Sequence, residues 1–151
     1  RSTLFPYTTL FRSVKLDEVV LFDGASELLA ELRARHHWLA VATGKSRRGL
    51  NEALRLTGLD RLFDATRTAD ETAGKPSPLM LHELMRELGC EPARTLMVGD
   101  TTHDLQMAQN AGCPAVAVSY GAHEPASFAA FAPLYVAHSV ADLRQWLAAH
   151  A

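Results

Sequence analysis

A threonine–glycine pair ahead of a helix, a lysine fixed beside a proline, and two carboxylates four residues apart are the residues of this chain best suited to chemistry. The first cluster is Ala42-Thr43-Gly44-Lys45-Ser46, which follows an apolar run and opens a helical pattern. A hydroxyl and backbone N–H groups at a helix N-terminus favour an anion such as phosphate. The second is Gly74-Lys75-Pro76-Ser77-Pro78, a rigid loop that presents one ammonium just before a helix. The third is Gly99-Asp100-Thr101-Thr102-His103-Asp104. Two carboxylates on one strand-to-helix turn suit a hard, oxygen-seeking cation such as Mg²⁺.

Each cluster also has an ordinary reading. Thr43 alone is more often a helix N-cap than a phosphate ligand. Lys75 alone is more often a solvated surface lysine. Asp100 and Asp104 alone would be a turn residue and a first-turn helix carboxylate favoured by the dipole. Gly44-Lys45-Ser46 fails as a P-loop, because that motif needs glycine where Leu39 stands. What the ordinary readings leave unexplained is the order and spacing of all three clusters together. Weaker candidates are His103, read as an exposed helix-start residue, and the Tyr120-Gly121 loop. His36 and His37 are read as closing a helix, Trp146 and Leu147 as packing.

These clusters need elements to position them. Leu28, Leu29 and Leu32 share one face of a helix running from Ala25 to His37, and Trp38 to Ala42 reads as a buried strand. A helix from about Ser46 to Leu56 is closed by Gly58, and a short strand is expected around Phe63 to Thr68. Pro78 opens the next helix, with Leu81, Leu84, Met85 and Leu88 as its stripe and Gly89 as its end. Thr95 to Val98 reads as a strand, Thr102 to Ala111 as a helix capped by Gly112. Val116 to Val118 and Leu134 to Val136 read as strands. Val140, Leu143 and Leu147 mark the last helix. Alternating strands and helices predict an α/β fold, a three-layer doubly wound, Rossmann-like parallel sheet, with ligands beyond the carboxyl ends of its strands.

Composition sets outer bounds. The 151 residues suit one domain, with 48% hydrophobic and 21% charged residues. A formal charge of −2 argues against a general nucleic-acid binder. No run approaches the ~20 apolar residues of a membrane span. Cys90 and Cys113 have no zinc-like spacing and read as two reduced, buried thiols, which points to the cytoplasm.

The segment from Arg1 to Ser13, RSTLFPYTTLFRS, has no helical period and resembles the translation of a short-read sequencing adapter. It is set aside as non-native. Residues 14–151 are then the partial core of a chain truncated at its N-terminal side.

Taken in order, strand-Thr43-Gly44, Lys75-Pro76 and Gly99-Asp100-x-x-x-Asp104 resemble the second, third and fourth motifs of the haloacid-dehalogenase-like hydrolases. The wording VATGKS and GDTTHD is most similar to their phosphoglycolate-phosphatase-like branch. The resemblance implies a Mg²⁺-dependent phosphatase acting on a small phosphorylated metabolite. Thr43 and Gly44 would hold the phosphoryl group, and Lys75 would neutralise it and the attacking carboxylate. Asp100 would ligate Mg²⁺, and Asp104 would support the metal's water shell or Lys75.

The family's first motif, Asp-x-Asp-Gly-Thr on the central strand, is missing. Its first Asp attacks phosphorus to form an aspartyl-phosphate, and its second is the general acid and base. Asp23 is a decoy: its partner position would be Ala25 or Leu21, neither of which can serve. The resemblance therefore implies a core lacking its native first strand and cap, and a chain without turnover. The alternative is a non-catalytic module that binds a phosphorylated ligand. With the native first strand missing, the slot between the Thr43 and Asp100 strands must be filled by Val19 to Phe22 or by the Arg1–Ser13 stretch, or the chain is marginally stable.

Overall fold

A computed structural model describes residues 2–5, 11–15, 18–21, 23–120 and 125–150. The strands are β1 (Ser2–Phe5), β2 (Phe11–Lys15), β3 (Glu18–Leu21), β4 (Trp38–Thr43), β5 (Ala65–Thr68), β6 (Thr95–Gly99), β7 (Ala115–Val118) and β8 (Val136–Ala137). The helices are α1 (Ala25–Ala34), α2 (Arg47–Thr57), α3 (Leu79–Leu88), α4 (Thr102–Ala111) and α5 (Val140–His150). Six strands form one parallel sheet in the order β5-β4-β1-β6-β7-β8, and β2 pairs antiparallel with β3 in a separate ribbon.

Alternation along the strands divides the core into two layers. Leu39 and Val41 of β4, with Val98, Val116 and Val118, pack against α1, α2 and α5. Ala40 and Ala42 of the same strand, with Met97, pack against α3 and α4. The predicted three-layer, doubly wound sheet is therefore present. Apolar side chains at helical spacing, such as Leu28, Leu29 and Leu32, are fully buried. Gly58, Gly89 and Gly112 end α2, α3 and α4 at positive φ, a conformation open to a residue without Cβ.

Several expectations need correction. α1 stops at Ala34, three residues before the predicted end, because the chain turns through His36 at φ 65° to enter β4. His37 therefore does not close the helix; it lies beyond its end and is buried. Trp38 is 47% exposed, since it begins β4 at the sheet's amino edge. Leu134 is 60% exposed and precedes the short strand β8 instead of starting it. Cys113 is buried beside Met85, with its thiol pushed up to about 11 by burial, but Cys90 is only half-buried. Among the described residues no helix is long and apolar enough to cross a membrane.

The central slot is filled by part of the Arg1–Ser13 stretch, one of the two occupants expected for it. Ser2–Phe5 is the central strand, in parallel register with β4 (Ser2 opposite Trp38, Phe5 opposite Val41) and with β6 (Ser2 opposite Thr95, Leu4 opposite Met97). The slot is filled by the first of the two occupants in chain order, and Val19 belongs to the ribbon.

Candidate functional site

The chain runs outward from β1 in both directions, to β4 and β5 on one side and to β6, β7 and β8 on the other. A crevice opens at the carboxyl edge of such a switch point. Thr43 is the last residue of β4, and Asp100 directly follows β6, so both stand at that edge on either side of β1. Thr43 is buried, and its Oγ1 accepts from Lys45 N at 3.1 Å. Among the described residues, and apart from its chain neighbours, no heavy atom lies within 4 Å of the place a Cβ would take on Gly44.

Thr43 is not the N-cap of α2. Ser46 fills that role, its Oγ accepting from Gly49 N at 3.0 Å. An anion does sit at this helix N-terminus, as the dipole favours, but it is Asp70, both of whose oxygens accept from Arg47 N at 3.1 Å. The Arg47 guanidinium donates to Glu71 and to Thr66 Oγ1, tying the first cluster to the stretch that leads to Lys75. The Thr68 hydroxyl and the Arg47 amide hold the Asp70 carboxyl below its ordinary range. Sequence reasoning missed Arg47 and Asp70 as partners, because 23 residues separate them.

The second and third clusters meet directly. Lys75 Nζ forms an ion pair with Asp104 Oδ1, the carboxylate fully buried and the lysine side chain 16% exposed. Asp104 Oδ2 accepts from the backbone N–H groups of Asp100 (3.1 Å) and Thr101 (3.2 Å). The Thr101 hydroxyl in turn accepts from Asp104 N, closing a capping box at the start of α4. Both Asp104 oxygens are therefore engaged within the protein. Asp100, also fully buried, is a hard oxygen donor at the end of β6. Among the described residues no group of three His, Cys, Asp or Glu side chains is arranged to hold a metal ion.

Tyr120 follows β7 on the same edge. Burial pushes its hydroxyl well above the usual tyrosine range, and the charges of Asp100 and Asp142 push it further. Gly121 lies outside the described residues. His103 is exposed in the first turn of α4, and Asp23 is an exposed turn residue leading into α1. Leu147 is buried, while Trp146 is half-buried and stacks between Tyr135 and His150.

A family model described as haloacid dehalogenase-like hydrolase matches residues 6–118. The chain belongs to that family. The pyrophosphatase PpaX of Bacillus velezensis is 33% identical over 135 residues, covering 88% of this chain and 62% of that protein. A phosphoglycolate phosphatase of Synechococcus elongatus is 32% identical over 130 residues, covering 86% of this chain and 60% of that one. A haloacid dehalogenase family hydrolase from Deinococcus radiodurans, solved with bound phosphate and sodium, superposes with a TM-score of 0.81 at 26% identity. That superposition covers 87% of this chain and 61% of the other. The chain thus spans about three-fifths of the length of these relatives. In this haloacid dehalogenase-like chain no Asp or Glu occurs before Asp17, so Ser2–Phe5 brings no carboxylate to the central slot.

Proposed function

We propose that the full protein is a Mg²⁺-dependent phosphatase of small phosphomonoesters, and that this chain holds its phosphate and metal half-site. The observation that supports this most is the buried pairing of Lys75 with Asp104 beside Asp100, on the sheet edge that also bears Thr43. Relatives carry pyrophosphatase and phosphoglycolate phosphatase names, and one solved relative holds phosphate.

In this reading the Thr43 hydroxyl and the Gly44 N–H hydrogen-bond the phosphoryl oxygens. Lys75, held by Asp104, places its ammonium against the same group and neutralises charge that grows during transfer. Asp100 supplies the carboxylate for Mg²⁺, a cation that uses one or two carboxylates and keeps several waters. Bound there, the ion would polarise the phosphoryl group. Asp104 has its oxygens on two amides and on Lys75, so its role is to fix Lys75 and the Asp100 backbone. The covalent step requires an aspartate on the central strand, where residues 1–16 offer none. The chain as it stands then binds phosphate without turning over an ester.

Titration with inorganic phosphate in the presence of Mg²⁺ tests the half-site. Binding should be measurable and should be weakened, though still detectable, in Lys75→Ala and Asp100→Ala, with no hydrolysis of p-nitrophenyl phosphate. Hydrolysis that vanishes in Asp100→Ala would refute the missing nucleophile. Phosphate binding unchanged by either substitution would refute the site. Genomic sequence upstream of Val14 separates the two forms of the proposal. An in-frame Asp-x-Asp-Gly-Thr there marks a phosphatase, and an authentic start codon close to Val14 marks a phosphate-binding module.

A further inference from the structure

Lys75 is gripped at its tip by Asp104, and its backbone has a second hold near the far end of the same helix. Asn110 Nδ2 donates to Pro76 O at 2.9 Å, the carbonyl of the residue directly after Lys75. The Asn110 amide is itself oriented, because Gln106 Nε2 donates to its Oδ1 at 2.9 Å from one turn earlier. With the oxygen turned toward Gln106, the Nδ2 side faces Pro76. Six residues separate Asp104 from Asn110 on α4, about 9 Å along the axis of a rigid helix. The helix therefore fixes the lysine at both ends, charge at one point and main chain at the other.

We propose that Asn110, oriented by Gln106, is a positioning residue for Lys75: it clamps the Lys75-Pro76 segment so that the ammonium is presented to a bound phosphoryl group. The proposal rests on the phosphate-site reading above and adds residues outside its motifs. A loop pinned only through Nζ would keep its ion pair while the backbone shifted, and an ammonium displaced by a fraction of an ångström loses much of its value in a preorganised site.

The test uses the chain as it exists, with Asn110→Leu (similar volume, no donor) and Asn110→Ala. Two readings are taken: the rate at which an acylating reagent modifies Lys75, followed by mass spectrometry, and the affinity for inorganic phosphate with Mg²⁺. Both variants should acylate Lys75 faster and bind phosphate about 5-fold more weakly, the size expected of one neutral hydrogen bond. Neither should weaken phosphate binding further in a Lys75→Ala background. Unchanged acylation and unchanged affinity in both variants would overturn the proposal. Equal weakening with and without Lys75 would also overturn it, since Asn110 would then act on the fold at large. If Lys75→Ala itself binds phosphate like the parent chain, the phosphate-site reading has failed and the proposal falls with it. Faster acylation in that case would still show that the clamp exists.

Discussion

Gly99 and Asp104 are packed so closely that a Cβ on Gly99 would overlap the Asp104 Cβ and stand 3.0 Å from its carboxylate carbon. The contact lets the Asp104 carboxylate reach back over the end of β6 to the Asp100 and Thr101 amides. Glycine is needed here for close approach, with no appeal to an unusual backbone angle. Gly99→Ala should therefore destabilise the chain by about 1–3 kcal/mol, the usual range for overpacking. Urea denaturation measures this, and a change within error would show that the turn has slack.

Asp104 joins a buried ion pair to a helix cap. Asp104→Asn keeps the volume but leaves Lys75 partly buried without its counter-charge, and breaking such a pair costs about 3–5 kcal/mol. The loss should fall toward zero when Lys75 is replaced by Met in the same chain. Additive losses in this double-mutant cycle would mean that the ion pair contributes nothing of its own.

The central slot makes a stronger demand. Removing residues 1–5 leaves facing edges of β4 and β6 without partners, at about 1–3 kcal/mol for each buried group orphaned. Several such groups exceed the stability of a small domain. The shortened chain should lose its cooperative thermal transition by circular dichroism. A sharp transition near that of the parent would show that Ser2–Phe5 is dispensable.

Acid should act on the tie between the first two clusters. Asp70 is held below its ordinary value of 3.8 by the Thr68 hydroxyl and then by the Arg47 amide. Glu71 is held below its usual 4.5, chiefly by the Arg47 guanidinium. A carboxylate with a lowered folded pKa contributes stability that is fully present above its unfolded value and lost as pH falls through the folded one. Stability should thus decline as pH drops below about 4, and less steeply in Asp70→Asn. Urea midpoints between pH 6 and 2 would reveal parallel curves if the tie were unimportant.

Much of the architecture was legible in local pattern. Thr102 to Ala111 and its Gly112 cap match the structure residue for residue, because helical period and a terminal glycine are nearest-neighbour signals. The Lys75 and Asp100/Asp104 clusters stood out because Gly-Lys-Pro and Gly-Asp-x-x-x-Asp are short local patterns, and the structure brings Lys75 and Asp104 into contact. Trp38 and Leu134 were misplaced because an apolar residue looks the same whether a sheet covers it or ends beside it. His37 falls outside the helix it was expected to close because the chain turns at His36 before β4.

By itself the sequence determined the order of strands and helices from Ala25 onward, the glycine caps and the identity of the polar clusters, all of which depend on residues a few positions apart. Only the tertiary structure decided that Ser2–Phe5 fills the central slot, that Asp104 faces Lys75, and that Asp70 takes the N-terminus of α2. The same holds for Asn110, which reaches Pro76 across 34 residues of chain. Those relationships follow from strand order, which brings distant segments to one edge. Periodicity along the chain carries no record of which strand lies beside which.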